Sequence, residues 1–306
     1  MTYSPSELWS IFVMQGFSGL SLFSVLLLMA LGMSIIFGQM GVINMAHGEF
    51  MALGSYTVYL CSQMVEKFCP ALMPYYFVVA IVLAFFVTAI FGLFIEFSLI
   101  RFLYKRPTDS LLATWGLSLM MQQMCRSIFG AREVTPTLPE WLMGSFNVTS
   151  TIQIPINGVF VLGLAVVMTL FVWGFHYKTR MGLNMRATVQ NRIMSGAAGI
   201  NTKLVDRFTF SLGCGIAGVA GAAFTTIGST GPDSGSRYIV DTFLVVVFGG
   251  IGKLVGTIAS AFSIAQGQSL AEFFLEGTMG KVTILAIVIA ILMVRPQGLF
   301  ANKVRS

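Results

Sequence analysis

The chain has 306 residues, 56% hydrophobic and only 10% charged, with a mean hydropathy of +0.84. A soluble domain carries roughly 25% charged residues, so 18 basic and 12 acidic side chains cannot cover a 33.3 kDa surface in water. Disordered, fibrous and soluble-enzyme readings are excluded, which leaves a polytopic membrane protein.

Residues 8–48, 68–95, 141–177 and 208–232 contain no Asp, Glu, Lys or Arg. A membrane-spanning helix needs about 20 mostly apolar residues, so each stretch can hold one. Strands of a membrane barrel would alternate, and VLLLMA (25–30) and ILAIVIAILMV (284–294) do not. In chain order the predicted helices are 18–37, 42–61, 75–100, 111–129, 158–176 and 208–228. Residues 242–264 and 282–294 are also apolar, but Gly249, Gly250, Gly252 and Gly256 interrupt the first of these. It is either one kinked span, or a short out-and-back segment followed by another span. The expected fold is all-α, a polytopic membrane helical bundle of about eight or nine spans. Residues 1–306 form a single transmembrane domain on this reading. The first apolar stretch lacks a basic leader and runs too long for a cleaved signal.

Twelve of the 18 basic residues fall in three places. These are Arg101, Lys105 and Arg106; the six between Lys178 and Arg207; and Arg295, Lys303 and Arg305. Cytoplasmic loops collect Lys and Arg, so these regions are assigned inside. Residues 130–157 and 229–241 are weakly acidic and are assigned outside. The basic pI of about 9.3 then reflects membrane topology rather than nucleic-acid binding. Cys125 and Cys214 read as small buried hydrophobes. Cys61 and Cys69 are candidates to pair if they face an oxidising compartment. No cysteine spacing fits a metal site.

Candidate functional residues begin in GQMGVINMAHGEFMALGS (38–55). Asn44, His47 and Glu49 sit in or beside an apolar span, where polar and ionisable groups are functional candidates by default. The glycines there predict a broken or closely packed helix. A satisfied interhelical hydrogen-bond cluster is the structural alternative. Thr114, Ser118 and Gln122 recur at i, i+4, i+8 and form one polar stripe, which either lines a pathway or packs against a neighbour. Arg126 is expected to reach the outer surface. Glu96 is expected to pair with a neighbouring base such as Arg101. Gly213, Ala217 and Gly221, and Gly252 and Gly256, follow small-xxx-small spacing for close helix contact. Lys253 invites a phosphate-loop reading that fails, because Val247 and Leu254 stand where Gly and Ser or Thr are needed.

The inside segment 178–207 is too long for a simple connector. Met185, Val189, Ile193, Ser195 and Ala197 alternate with polar groups at roughly helical spacing, which predicts a short amphipathic helix. It docks a partner or lies on anionic lipid.

Four motifs together resemble the permeases of the branched-chain amino acid ABC transporter family. They are GVINMAHGEFMALGSY, MRATVQNRIMSGAAGI, VVVFGGIGKLVGT and the closing RPQGLF. LLATWGLSLMMQQMCRSIFGAREV followed by PEWLMG resembles the urea-transport branch most. SGAAGI and Lys253 depart slightly from the family pattern. The resemblance implies a non-enzymatic transport subunit in a bacterial inner membrane, most simply an importer of urea. Alternatives are a branched-chain amino acid permease of the same family and a stand-alone channel or ion-coupled carrier. The implied partners are a second permease, two ATPase subunits, a soluble substrate-binding protein and the lipid bilayer, with no nucleic acid. No cofactor or metal is expected on this chain, ATP and Mg belonging to the ATPases. By motif match Arg186, Ala187, Gly199 and Ile200 belong to the segment that engages the ATPase. Asn44, His47, Glu49, Thr114, Ser118 and Gln122 are the candidate substrate pathway.

Overall fold

The computed structural model describes residues 5–104, 106–149, 152–275, 278–295 and 298. Lys105, Lys303 and Arg305, and Pro296, Gln297, Leu299 and Phe300 of the closing motif, lie outside the described residues. In chain order the helices are α1 (Pro5–Met40), α2 (His47–Phe68), α3 (Tyr76–Ser98), α4 (Pro107–Phe129) and α5 (Ile156–Lys178). Then come α6 (Arg180–Gln190), α7 (Arg192–Ala197), α8 (Thr202–Phe224), α9 (Ser234–Gly249), α10 (Leu254–Leu275) and α11 (Thr278–Val294). Among the described residues, four segments are long and apolar enough to cross a membrane: Trp9–Met40, Tyr76–Phe102, Ile156–Lys178 and Thr202–Phe224. The helical membrane bundle is as expected. One small antiparallel hairpin, β1 (Ser145–Thr149) with β2 (Ile152–Pro155), is added between α4 and α5.

α8 is the central helix, buried at every position from Leu212 to Phe224. Its small residues explain this. A Cβ built on Gly213 would meet the Gly32 carbonyl of α1 at 2.7 Å, and one on Gly221 would meet the Met51 carbonyl of α2 at 2.0 Å. Gly218 lies against Thr88 of α3, and its carbonyl presses on Gly54 of α2. Lipid supplies little hydrophobic drive between helices, so close van der Waals contact of this kind does the packing. The predicted small-residue spacing is therefore used for close helix contact. Outside this core the apolar side chains of α3, α5 and α11 face outward, as lipid-facing residues do.

Several predicted boundaries move: the helix expected at 18–37 runs Pro5–Met40, and those expected from 111 and 208 begin at Pro107 and Thr202. The helix expected from Val42 begins at His47, because Gly41 takes φ +63° and ends α1. Residues 242–264 are parts of two helices, not one kinked span. α9 ends at Gly249, residues 250–253 turn, and α10 leaves as a separate helix. Gly250 and Gly252 supply the positive φ angles of 92° and 75° that this turn needs. Gly249 and Gly256 then meet backbone to backbone, with a built Cβ on Gly256 only 1.9 Å from the Gly249 carbonyl.

The described basic regions gather at one end of the bundle. Arg207 of α8 pairs with Glu96 of α3 at 3.2 Å, and the Tyr104 hydroxyl donates to Glu96 at 2.7 Å. The base partnering Glu96 is thus Arg207, not Arg101, which instead lies over the Phe97 ring. Arg192 of α7 pairs with the buried Asp206 of α8. The opposite end carries the hairpin, a backbone bridge between Val134 and Thr230, and a Trp141 indole donating to the Pro74 carbonyl at 2.7 Å. Arg126 does reach this end and pairs with Asp233 at 2.9 Å. Lys281 ties α11 to the buried Asp241 of α9 at 2.6 Å. All four cysteines are free, so Cys61 and Cys69 do not pair; Cys125 and Cys214 are buried as expected.

Candidate functional site

Residues 41–46 are non-helical and lead inward from an exposed Gly41 to the buried Asn44 and Ala46. The His47 Nε2 sits 3.2 Å from the Met29 carbonyl. Met29 precedes the end of α1 by eleven residues, about 16 Å at the helical rise. So α2 starts about three turns back from the end of α1, inside the bundle. Backbone groups at that depth need partners, and nearby side chains provide them. The Asn44 Oδ1 accepts from the Ala46 N–H at 3.1 Å. The Thr114 hydroxyl of α4 accepts from the Met45 N–H at 3.1 Å and donates to the Ser110 carbonyl at 2.8 Å.

Glu49 stands in the first turn of α2 and is 2% exposed. Its Oε1 accepts from the Ser118 hydroxyl at 3.0 Å and the Gln122 amide at 2.8 Å, both of α4. It also accepts from the Ser236 hydroxyl of α9 at 3.1 Å. Gln122 Nε2 is itself 2.6 Å from Ser236 Oγ, so three helices meet at one carboxylate. The first turns of α2 and α9 cross at Gly48 and Gly235, where a Cβ on either would meet the other's carbonyl at 2.3–2.4 Å. Two helix N-termini, each a source of partial positive charge, thus converge beside Glu49. This arrangement holds an anionic or polar group without an ion-pair partner.

The six predicted pathway residues therefore divide. Glu49, Ser118 and Gln122 form one hydrogen-bonded cluster. Asn44 and Thr114 secure the break. His47 faces α1, and with Asn44 it lines a cavity of only about 10 Å³. Among the described residues, the His47 Nδ1 and Asn44 Nδ2 have no hydrogen-bond partner. A separate cavity of about 510 Å³ between α1, α5, α9 and α10 is lined by Phe17, Asn157, Tyr238 and Glu272, and none of the six reaches it. Sequence reasoning missed Ser236. The Gly, Pro and Ser of GPDSGS (231–236) were the available signal for a second helix starting inside the bundle.

Above the cluster, Arg237 and Glu133 pair at 3.3 Å near the Arg126–Asp233 pair. The Ser229 hydroxyl, followed by the Arg237 guanidinium, holds the Glu133 carboxyl below the usual carboxylate range.

At the basic end the predicted amphipathic helix is two helices. Thr179 caps α6 by accepting from the Gly182 N–H at 3.0 Å, and Asn191 caps α7 by accepting from the Met194 N–H at 3.0 Å. Arg186 turns back to the bundle, donating to the His176 carbonyl with its guanidinium over Tyr177. The Ala187 carbonyl accepts from the Asn191 N–H, Gly199 takes φ +85°, and the Ile200 N–H returns to the Ser195 carbonyl. These four residues shape the segment. Its outward side is Leu183, Val189, Met194 and Ile193, the last 84% exposed.

Residues 16–293 match the family described as "Branched-chain amino acid transport system / permease component". The chain is 29% identical to the high-affinity branched-chain amino acid transport system permease protein LivH of Escherichia coli, covering 97% of this chain and 98% of that one. It is 28% identical to LivH of Salmonella typhimurium over the same shares, and 26% identical to BraD of Pseudomonas aeruginosa over 95% and 96%. No solved structure matches it. The match spans almost every helix described above, and the chain belongs to the branched-chain amino acid transport system permease component family, as a multi-pass membrane protein.

Proposed function

We propose that this chain is one of two permease subunits of an ATP-driven importer of branched-chain amino acids in the plasma membrane. The supporting observation is the near full-length likeness to relatives named LivH and BraD, together with a capped helix pair that presents apolar side chains at the basic end. Residues 178–207 act as the coupling segment on this reading. Arg186, Ala187, Gly199 and Ile200 hold its shape, while Ile193 and Met194 touch the ATPase. ATP and Mg bind in two ATPase subunits, and a soluble protein delivers the solute to the opposite face. Movement of α6 and α7 shifts the bundle between outward- and inward-open states. Asn44, His47, Glu49, Thr114, Ser118 and Gln122 control the pathway, the Glu49 cluster being its closed form.

Urea is the second reading. Glu49 is held by neutral donors alone, whereas a zwitterion calls for both charges in its binding station. Uptake of labelled leucine and labelled urea by a deletion strain carrying the chain separates the two. Leucine uptake supports the main reading, and urea uptake without leucine replaces it. Coupling is tested with Ile193→Asp and Met194→Asp in the reconstituted transporter. Loss of buried apolar contacts at an interface centre should lower substrate-stimulated ATP hydrolysis about tenfold or more. Unchanged stimulation would remove the docking assignment.

A further inference from the structure

The basic end holds a cavity of about 530 Å³, formed where the coupling segment meets the end of α3, to which the transport reading gives no ligand. Four cations line it: Arg101 after α3, Arg192 on α7, and Lys203 and Arg207 on α8. Two are balanced, Arg207 by Glu96 and Arg192 by Asp206. Arg101 and Lys203 make no ion pair among the described residues. The Arg101 guanidinium rests on the rings of Phe97 and Phe102, 4.1 and 4.5 Å from their centroids. The cavity therefore keeps an excess of positive charge where α3 ends.

The wall leading away from it toward the bilayer centre is apolar and uncovered. Phe86, Ile90, Leu93, Phe94 and Phe97 share one face of α3, and all are exposed. That face runs down to Phe102, exposed at the lip of the cavity. A free anion would satisfy the cations and leave this face bare. An apolar helix would cover the face and leave the cations unmatched. An anionic head with apolar tails matches both, and basic pockets between helices at the cytoplasmic surface suit such heads.

We propose that this cavity holds the phosphate headgroup of an acidic phospholipid of the cytoplasmic leaflet, with its acyl chains along the exposed face of α3. Arg101 and Lys203 bind the phosphate. The Arg207–Glu96 and Arg192–Asp206 pairs keep the walls in place.

Arg101→Ala combined with Lys203→Ala leaves both ion pairs intact. The complete transporter is delipidated and titrated with phosphatidylglycerol or phosphatidylcholine, and bound phospholipid is counted by native mass spectrometry. Phosphatidylglycerol should bind the wild type more tightly than phosphatidylcholine. Losing two cations should weaken phosphatidylglycerol about thirtyfold. Arg101→Lys with Lys203→Arg should retain it, and Lys178→Ala, away from the cavity, should not matter. Millimolar inorganic phosphate should fail to displace the lipid. Equal affinity for the two lipids, or equal phosphatidylglycerol affinity in the wild type and the double alanine variant, overturns the proposal. Full displacement by inorganic phosphate also overturns it, by assigning the cavity to a free anion.

Discussion

Glu49 accepts three hydrogen bonds on one oxygen while almost wholly buried. Removing it takes the acceptor from the Ser118 and Ser236 hydroxyls, while the Gln122 amide keeps its contacts to both oxygens. Glu49→Ala should therefore cost about 1–3 kcal/mol, the range for leaving one buried polar group, here the Ser118 hydroxyl, unsatisfied. Glu49→Gln keeps an acceptor oxygen and should cost less than half of that. Melting curves of the purified transporter measure both, and an alanine variant that melts like the wild type would show that the cluster holds nothing. Much of this cluster was legible in the sequence. The spacing of Thr114, Ser118 and Gln122 put them on one face of a helix, and a lone carboxylate in an apolar run called for partners. Ser236 was not legible, because its contact depends on α9 starting at the same depth as α2. No local pattern encodes that depth.

The helices are joined by glycine contacts of two kinds, and the difference is measurable. Gly48 faces the Gly235 backbone, and Gly249 faces the Gly256 backbone, with no flexible side chain to yield. Gly48→Ala or Gly249→Ala should destabilise by about 1–3 kcal/mol, as overpacking does. Gly116, inside α4, has nothing within 4 Å of an added Cβ. Gly116→Ala should be neutral, or stabilising by up to about 1 kcal/mol through helix propensity. Thermal denaturation of the three variants ranks them, and a neutral Gly48→Ala would mean that α2 and α9 do not meet. Helix positions were readable from charge-free stretches, but their ends were less so. Val42 and Ile43 look like the start of a span by hydropathy. Gly41 and the Asn44 turn override that preference with local backbone geometry.

At the scale of the whole molecule, charge placement assigns α6 and α7 to the cytoplasm and the β1–β2 hairpin to the other side. In a Cys69→Ser background, Phe146→Cys should react with an impermeant maleimide from outside intact cells. Ile193→Cys should react only in inverted vesicles. Reaction of both from one side would break the topology. The twelve clustered basic residues carry this assignment. What the sequence left hidden was that α2 and α9 begin at depth and share one carboxylate. That arrangement also bears on how the chain is made. Glu49 and Ser236 are 187 residues apart. At roughly 5–20 residues per second, about 10–40 seconds of translation separate them. For that interval a nascent chain holds a carboxylic acid in or near the bilayer without its last donor. Ribosome-stalled chains ending before α9 should therefore be cleared by membrane proteases faster than chains that include it.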